Sequence, residues 1–283
     1  MFDHFLSTLS LVSRVPVKIK HRFDPSRMDF CLPLTGIFPA LLGAVIFFAG
    51  FILIGDRLLT AMFTLICQYL CFNLFHLDGL LDTADAFMGS PGRENEKEKR
   101  ASILKDPGIG VYAFFTGLAV LSLKLILLCK LSPMVLVFPV PLLAFPISGR
   151  IAAAFVPVMA KPFREEGLGA LAKDSRAFRV IGGALAALAF WTLLCSGGLR
   201  LYNALTASQL FTVSLFPASI LPPALLLALP VLSPLISLFF ARLYSKKLGG
   251  YTGDAQGAAA ETAELVHLGG AFIILKVLGF YLM

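Results

Sequence analysis

The sequence predicts an all-α polytopic membrane helix bundle of about seven transmembrane helices, preceded by an N-terminal amphipathic helix at the membrane interface. Three observations lead to this fold class. Of the 283 residues, 58% are hydrophobic and only 14% are charged, whereas soluble globular chains have about 25% charged residues. Long charge-free runs approach the roughly 20 residues that a helix needs to cross a bilayer. Lysines and arginines concentrate in alternate loops. We expect one integral membrane domain over residues 1–283.

The predicted elements follow one another along the whole chain. The apolar side chains of residues 2–12 share one helical face, which is typical of an interfacial helix. This segment is too short, and with Asp3 and His4 too polar, for a cleavable signal peptide. The predicted spans are 30–55, 58–75, 109–129, 131–149, 180–199, 219–240 and 265–282.

Two of these spans, and the segment before the sixth, have unusual features. Lys124 lies near the end of the third span, where we expect its side chain to snorkel to the interface. The fourth span contains four prolines, so we expect it to be kinked and to line a cavity. Residues 201–218 are polar enough to predict a loop or re-entrant segment. The five cysteines are scattered in or beside apolar runs, which favours apolar packing over a zinc site.

The distribution of basic residues predicts the orientation of the bundle. Successive loops contain 5, 1, 5, 1, 6, 1 and 3 lysines and arginines. By the positive-inside rule, the N-terminus is cytoplasmic and the C-terminus is outside. The protein would therefore lie in a bacterial or archaeal cytoplasmic membrane, with its polar motifs facing the cytoplasm. The net charge of +7 comes from these loops, so it does not indicate a nucleic-acid partner.

The most distinctive motif is HLDGLLDTAD at residues 76–85. Asp78, Asp82 and Asp85 lie within about a 60° arc of one helix face. Stacked carboxylates repel each other unless a cation lies among them, and oxygen ligands of this kind suit Mg²⁺. The plainer alternative is a solvated acidic turn just outside the membrane. His76 points to the opposite side, so we expect it to pack rather than to bind metal.

A second acidic motif occupies residues 249–264, where a glycine-rich turn opens a helix. Asp254, Glu261 and Glu264 lie within about 80° of each other on this helix. Carboxylates that face a bundle interior at membrane depth are costly and usually functional. Asp254 could instead cap the helix, but a cap does not account for Glu261 or Glu264. Two carboxylate-bearing helices that meet at one mouth of the bundle would form a metal site with one or two ions.

Two basic motifs complete the candidate site. Lys105, in KDPGIGVY at 105–112, is expected on the same membrane face as the aspartates and could bind phosphate. Arg164, in REEGLG at 164–169, has the planar fork that suits phosphate. An ordinary loop lysine and a topogenic loop are the respective alternatives. Carboxylates, basic side chains and a membrane position together indicate Mg²⁺-dependent phosphoryl transfer to a large or amphiphilic substrate.

These motifs resemble the cobalamin synthase family, the adenosylcobinamide-GDP ribazoletransferases. The resemblance extends from about residue 5 to residue 264 and rests on four motifs in the same order, together with the early Ser13-Arg14-Val15-Pro16. It departs where the family often has Ser-Arg and this chain has Pro107-Gly108, which removes one candidate phosphate contact.

The resemblance implies a reaction and a set of residue roles. In it, α-ribazole or its 5′-phosphate attacks the phosphate of adenosylcobinamide-GDP that is attached to the corrinoid, and GMP leaves. The implied ligands of the Mg²⁺ cofactor are Asp78, Asp82, Asp85, Asp254 and Glu261. The implied catalytic residues are Asp82, Glu261 and Lys105. The implied substrate-binding residues are Arg14, Lys105, Arg164, Glu166 and Gly253.

Two other functions are compatible with intramembrane carboxylates. A transporter or divalent-cation channel would explain them, although we find no internal repeat and the charges lie at one mouth of the bundle. A phosphotransferase for CDP-alcohols or prenyl diphosphates would also use aspartate-rich helices with Mg²⁺. Membrane lipid is an expected partner in every case, and assembly into a homo-oligomer is compatible with the pattern.

Overall fold

The computed structural model describes residues 1–17, 23–89, 96–135, 139–167, 169–206 and 221–280. Within these ranges the chain is almost entirely helical, and its β-type pairing is one isolated bridge between Pro162 and Tyr251. Six helical segments there are long and apolar enough to cross a membrane, and Phe145–Met159 is a shorter apolar helix. The predicted all-α bundle of about seven spans is therefore confirmed.

The first span consists of two helices joined without a loop. Helix α1 (Phe2–Val12) packs on α2 (Met28–Thr35), which continues into α3 (Ile37–Leu53). Gly36 joins α2 to α3, and a Cβ at this residue would lie only 2.8 Å from Ile147 Cα. Glycine therefore allows the chain to pass close to a neighbouring helix at the junction.

The second span is longer than predicted and contains a change of helix type. Helix α4 (Arg57–Gln68) passes into a π-helical segment, Tyr69–Asn73, and then into α5 (Leu74–Met88). These pieces form one apolar segment of 32 residues. The aspartate motif thus lies on a direct continuation of the span. The π-helical segment turns polar side chains into the bundle, as such segments often do at functional positions.

The fourth predicted span is wrong in position. Helix α6 (Glu96–Ile103) precedes α7 (Val111–Val135), which extends past the predicted end at 129. The short α8 (Pro139–Leu142) follows, and the next apolar helix is α9 (Phe145–Met159) rather than 131–149. Pro146 lies in the first turn of α9, where proline is tolerated. The predicted span ends before the charge of Arg150, but this residue is buried inside the helix.

The last part of the chain contains three long helices. Helix α10 (Ala177–Thr206) is followed by α11 (Leu221–Leu227), α12 (Ser233–Lys247) and α13 (Gly253–Val277). Residues 201–206 are helical, contrary to the predicted loop, and the rest of that prediction lies outside the described residues. Helix α13 begins at Gly253, where the glycine-rich turn predicts a helix start, but its apolar segment includes residues before the predicted span start at 265.

Helices α9 and α13 form the centre of the bundle. Helix α13 packs against α5, α7, α9 and α12. Every residue from Phe145 to Pro157 of α9 is buried. On α13, Ala258, Ala259 and Ala260 are all fully buried. Small side chains such as these let membrane helices approach closely.

Candidate functional site

The two acidic motifs meet where α5 crosses the start of α13. A Cβ on Gly79 would lie 2.9 Å from Asp254 Cα, and one on Gly257 would lie 2.8 Å from the His76 carbonyl oxygen. The two backbones are thus in direct contact at these glycines. This contact brings Asp254 beside the aspartate face of α5, although Gly79 and Asp254 are 175 positions apart in the sequence.

The four aspartates form a cluster of negative charge. The charges of Asp254, Asp78 and Asp85 all act on Asp82. None of the ion pairs in the described ranges involves any of these four side chains. Asp78 is exposed and the other three are partly exposed, so the cluster is open to the surface of the bundle.

Asp85 and Asp254 also make local hydrogen bonds. Both Asp85 oxygens accept backbone N–H groups at the start of α7, from Gly110 at 2.6 Å and Ala113 at 2.9 Å. Asp85 therefore stabilises a helix N-terminus as well as facing its neighbours. The Thr252 hydroxyl donates to Asp254 Oδ2 at 2.9 Å. Thr252, not Asp254, occupies the N-cap position of α13.

The donor chemistry of the cluster fits a hard divalent cation. Its ligands would all be carboxylate oxygens, which Mg²⁺ prefers. As placed, the His, Cys, Asp and Glu side chains of the described segments do not form a group of three or more arranged to hold a metal ion. The aspartates are therefore neighbours with suitable chemistry rather than an assembled coordination sphere.

A short loop is attached to the start of α13 by backbone pairing. Tyr251 N–H donates to the Lys161 carbonyl at 2.8 Å, and Phe163 N–H donates to the Tyr251 carbonyl at 2.8 Å. A Cβ on Gly250 would lie 2.7 Å from Phe163 N and Pro162 C, so the pairing needs glycine. This bridge fixes the Arg164 motif next to the acidic motif.

The Tyr251 side chain strengthens the same attachment. Its hydroxyl donates to the Gly169 carbonyl at 2.8 Å. Burial, assisted by the charge of Asp174, raises the pKa of this phenol. The hydroxyl therefore stays protonated and keeps donating well above neutral pH.

A cavity of about 330 Å³ lies between this loop, α6 and the start of α13, and we call it the basic cavity. Its lining includes five predicted site residues: Lys105, Arg164, Glu166, Gly253 and Asp254. The Arg164 guanidinium carbon lies 5.5 Å from the centroid of the Phe163 ring. The structure thus brings together two cations and one carboxylate of the cluster around one space.

A second cavity of about 460 Å³ lies between the end of α1 and the helix that carries the aspartates, and we call it the apolar cavity. Arg14 and Asp78 are its charged lining residues. Arg14 N–H donates to the Cys71 carbonyl at 2.9 Å, which fixes the chain at the rim. Phe75 lines both cavities. Arg14 therefore joins the site from a different side than Lys105 and Arg164.

Glu261 does not join the aspartates. It lies two helical turns beyond Asp254, about 10 Å deeper along α13, and is fully buried. Glu261 Oε2 accepts hydrogen bonds from the Tyr69 hydroxyl at 2.5 Å and from Lys124 Nζ at 2.7 Å. Its predicted roles, as a Mg²⁺ ligand and as a catalytic group, stay predictions, and in this structure its carboxylate pairs with Tyr69 and Lys124 rather than with the aspartates.

Glu261 belongs instead to a buried charge cluster inside the bundle. Lys124 Nζ lies 2.7 Å from Glu264 Oε2, and Arg150 Nη1 lies 3.7 Å from Glu264 Oε1. Asn73 Nδ2 donates to Glu264 at 2.9 Å. The members of the buried charge cluster are Tyr69, Asn73, Lys124, Arg150, Glu261 and Glu264.

One expectation for a lone polar residue changes with this cluster, and three further residues join it. Lys124 is fully buried, so the prediction that it snorkels to the interface is wrong. Tyr69, Asn73 and Arg150 were not predicted to matter. Each of these residues is a polar side chain within or beside an apolar run, and this pattern could have indicated the cluster. Such residues usually pair with one another inside a membrane bundle.

His76 is buried, as expected for a packing residue. It is only 2% exposed, and neither ring nitrogen has a hydrogen-bond partner in the described part of the chain. The ring is therefore separated from the aspartate face.

Comparisons with known proteins give one consistent result. A family model described as cobalamin-5-phosphate synthase matches residues 4–272. A relative from Fervidobacterium nodosum is 27% identical over 267 residues, 93% of this chain and 94% of the relative. Relatives from Pseudomonas putida and Sinorhizobium medicae are 30% and 31% identical, over 92% and 95% of this chain and 95% of each relative. All three are named adenosylcobinamide-GDP ribazoletransferase. No solved structure gives a significant match.

Proposed function

Because the chain belongs to the cobalamin-5-phosphate synthase family, we propose that it is a membrane transferase that joins adenosylcobinamide-GDP to α-ribazole or α-ribazole 5′-phosphate and releases GMP. The observation that carries this proposal is the meeting of the aspartate face of α5 with Asp254 beside the basic cavity. Such an arrangement provides carboxylates for a metal and cations for a diphosphate in adjacent positions.

The reaction is a transfer of one phosphoryl centre between two oxygen atoms. A free ribose hydroxyl of the acceptor attacks the phosphorus that carries the corrinoid, and a new P–O bond forms. The phosphoanhydride bond of the GDP unit breaks, GMP leaves with the bridging oxygen, and the hydroxyl proton must be accepted. In such transfers, positioning and charge neutralisation provide most of the rate acceleration.

We assign the basic cavity to the diphosphate of adenosylcobinamide-GDP. Lys105 and Arg164 line it and would pair with phosphate oxygens, Arg164 through its planar fork. Glu166 lies on the same wall and would repel an anion, so it favours binding at the two cations. Gly253 leaves open space near the backbone, since no atom lies within 4 Å of a Cβ built on it.

Mg²⁺ would be held by Asp78, Asp82, Asp85 and Asp254. When bound, it would neutralise charge on the transferring phosphate. Asp254 also lines the basic cavity, so it would lie next to the phosphate and could accept the proton of the hydroxyl that attacks it. A general base needs to lie about 2.6–3.2 Å from that proton's oxygen, directly or through water.

We further propose that the site faces the cytoplasm in a bacterial or archaeal cytoplasmic membrane. The move of Arg150 into α9 lowers one cytoplasmic loop count from six to five. Lys130 and Arg200, which were counted in loops of the opposite side, lie within α7 and α10, so the excess of basic residues stays on the cytoplasmic side. The corrected topology therefore supports the same orientation under the positive-inside rule.

The test is GMP release by the purified protein in lipid nanodiscs. We expect release from adenosylcobinamide-GDP plus α-ribazole to need Mg²⁺, and Asp82→Asn to lower it by about 100-fold or more, as loss of a key electrostatic group does. Glu98→Gln, which changes an exposed acid on α6, is the matched control and should keep full activity. An active Asp82→Asn protein at ordinary Mg²⁺ would contradict the metal assignment. A folded protein that releases no GMP, or that prefers CDP-activated alcohols, would rule out the reaction.

A further inference from the structure

We propose that the apolar cavity is the binding site for the acceptor nucleoside, so that the two substrates occupy separate cavities and react across the wall between them. The inference rests on the proposed function for the identity of the acceptor. It assigns a site to α-ribazole and a discriminating role to Arg14.

The relative position of the cavities supports a site for two substrates. Phe75 lines both of them, Asp78 lines the apolar cavity and Asp254 lines the basic cavity. Asp78 and Asp254 are close enough for their charges to interact. A ligand in either cavity therefore lies beside one of these two neighbouring carboxylates. Group transfer needs this arrangement, because the attacking oxygen and the phosphate must approach each other at one point.

The lining of the apolar cavity matches a nucleoside with an aromatic base. Phe72, Phe75, Leu77 and Leu81 provide aromatic and aliphatic surface, on which a flat heteroaromatic base can pack. Its volume of about 460 Å³ is within the usual range for a ligand of that size. A corrin ring with its amide side chains is too large for this space. The diphosphate is also a poorer match here, because this cavity has one cation in its lining, Arg14, whereas the basic cavity has two.

Arg14 gives the cavity a means of distinguishing two forms of the acceptor. It lies at the exposed rim, where a guanidinium can pair bidentately with a phosphate. An acceptor that already carries a 5′-phosphate would gain this contact, whereas α-ribazole would not. The base would occupy the apolar interior in both cases. Arg14 is therefore a residue that sets preference between the two acceptors.

Cys71 allows the occupancy of the cavity to be measured directly. It lines the apolar cavity and is a free, partly exposed thiol, as is Cys67 one turn earlier on the same segment. Cys67 is absent from the cavity lining. Two single-cysteine proteins, retaining Cys71 or Cys67 with the other four cysteines replaced by serine or alanine, would be labelled with a maleimide in nanodiscs of fixed lipid composition.

We expect α-ribazole to slow labelling of Cys71 about tenfold at ten times its Kd, by mass action, and to leave Cys67 unchanged. GDP alone should protect neither thiol. The proposal is overturned if GDP protects Cys71, or if a change of nanodisc lipid alters Cys71 labelling while α-ribazole does not. It is also overturned if α-ribazole gives no protection at concentrations that saturate GMP release. Protection of Cys71 without any GMP release supports the acceptor site while the proposed reaction fails.

Steady-state kinetics test the role of Arg14. Arg14→Ala should raise KM for α-ribazole 5′-phosphate about tenfold more than KM for α-ribazole, which is the loss expected for one charge-assisted contact. Arg14→Lys should recover part of this difference. Lys105→Ala, in the basic cavity, should raise KM for adenosylcobinamide-GDP instead. Equal effects of Arg14→Ala on both acceptors would refute the role.

Discussion

Replacing Lys124 by methionine tests whether the buried charge cluster is a balanced unit. Lys124 and Arg150 are the cations of the cluster, and Glu261 and Glu264 are its anions, so the formal charges cancel. Methionine keeps the length and apolar stem of lysine but removes its charge. The variant leaves two buried carboxylates with Arg150 as the remaining cation of the cluster.

The contacts of Lys124 set the size of the effect. Its Nζ donates to Glu261 at 2.7 Å, to Glu264 at 2.7 Å and to Tyr69 at 3.0 Å, and the side chain is fully buried. Removing one partner of a buried ion pair costs about 3–5 kcal/mol. Arg150 lies 3.7 Å from Glu264 and can compensate that carboxylate in part, but Glu261 loses its direct cation. We therefore expect a loss of about 3–4 kcal/mol in the free energy of unfolding.

Charge balance predicts which second substitution restores stability. Glu261→Gln added to Lys124→Met leaves Arg150 and Glu264 as an equal pair, and glutamine can still accept from Tyr69. We expect the double variant to recover about 2 kcal/mol of the loss, since residues of one network are coupled by this order of energy.

The measurement is the unfolding free energy in mixed micelles, followed by circular dichroism and by GMP release on dilution. Lys130→Met is the matched control, because Lys130 is an exposed lysine on the same helix, and it should change stability by no more than about 0.5 kcal/mol. A Lys124→Met loss below about 1 kcal/mol, the value of a surface pair, would refute the reasoning. Additive losses in the double variant would refute it as well.

Three further substitutions test the architecture of the site. Gly79→Ala would put a Cβ 2.9 Å from Asp254 Cα, so GMP release should fall about 100-fold, as for a misplacement of about 1 Å. The control Gly269→Ala, in open space on α13, should keep its activity. Equal activity of the two variants would argue against the close crossing of α5 and α13. Asp85→Asn weakens the acceptor for two backbone N–H groups at the start of α7 and should cost about 1 kcal/mol of unfolding free energy. An unchanged midpoint of the unfolding transition would contradict the role of Asp85 at the start of α7. Tyr251→Phe removes one hydrogen bond to Gly169 and should cost about 1 kcal/mol. The raised pKa keeps the Tyr251 phenol neutral in the folded state, and its ordinary pKa of about 10 keeps it neutral in the unfolded state. The loss of unfolding free energy should therefore be constant from about pH 6 to 9. A loss that becomes smaller across that range would contradict the assignment.

The aspartate site could be predicted because its determinants are local or topological. The spacing of Asp78, Asp82 and Asp85 defines one face on any α-helix. The alternation of basic loops puts Asp254 at the same end of the bundle. Gly79 lies within the aspartate motif, and its contact with the Asp254 backbone is the close approach that a glycine permits.

Other features depend on pairs that are distant in sequence. The angular position of Glu261 on the helix predicted that its side chain points inward like that of Asp254. The angular position does not say how far each side chain lies along α13 from the mouth of the bundle. Charge was used to end spans, and the rule failed at Arg150 and Glu264 because their charges are paired across helices. The π-helical segment was also unpredictable from a 3.6-residue period, and it is this segment that directs Tyr69 towards Glu261.

The buried charge cluster has a consequence for how the protein is made. Chains are synthesised from the N-terminus, and Lys124 precedes its partners Glu261 and Glu264 by 137 and 140 residues. Helices α7 and α9 therefore enter the bilayer while their cations still lack anions, at a cost of about 2.5–3.5 kcal/mol for a lysine at the centre of a helix. Insertion of α13 supplies both glutamates and, at its beginning, Asp254. Insertion of α13 thus neutralises the charges of α7 and α9 and brings Asp254 to the aspartate face of α5 in the same event.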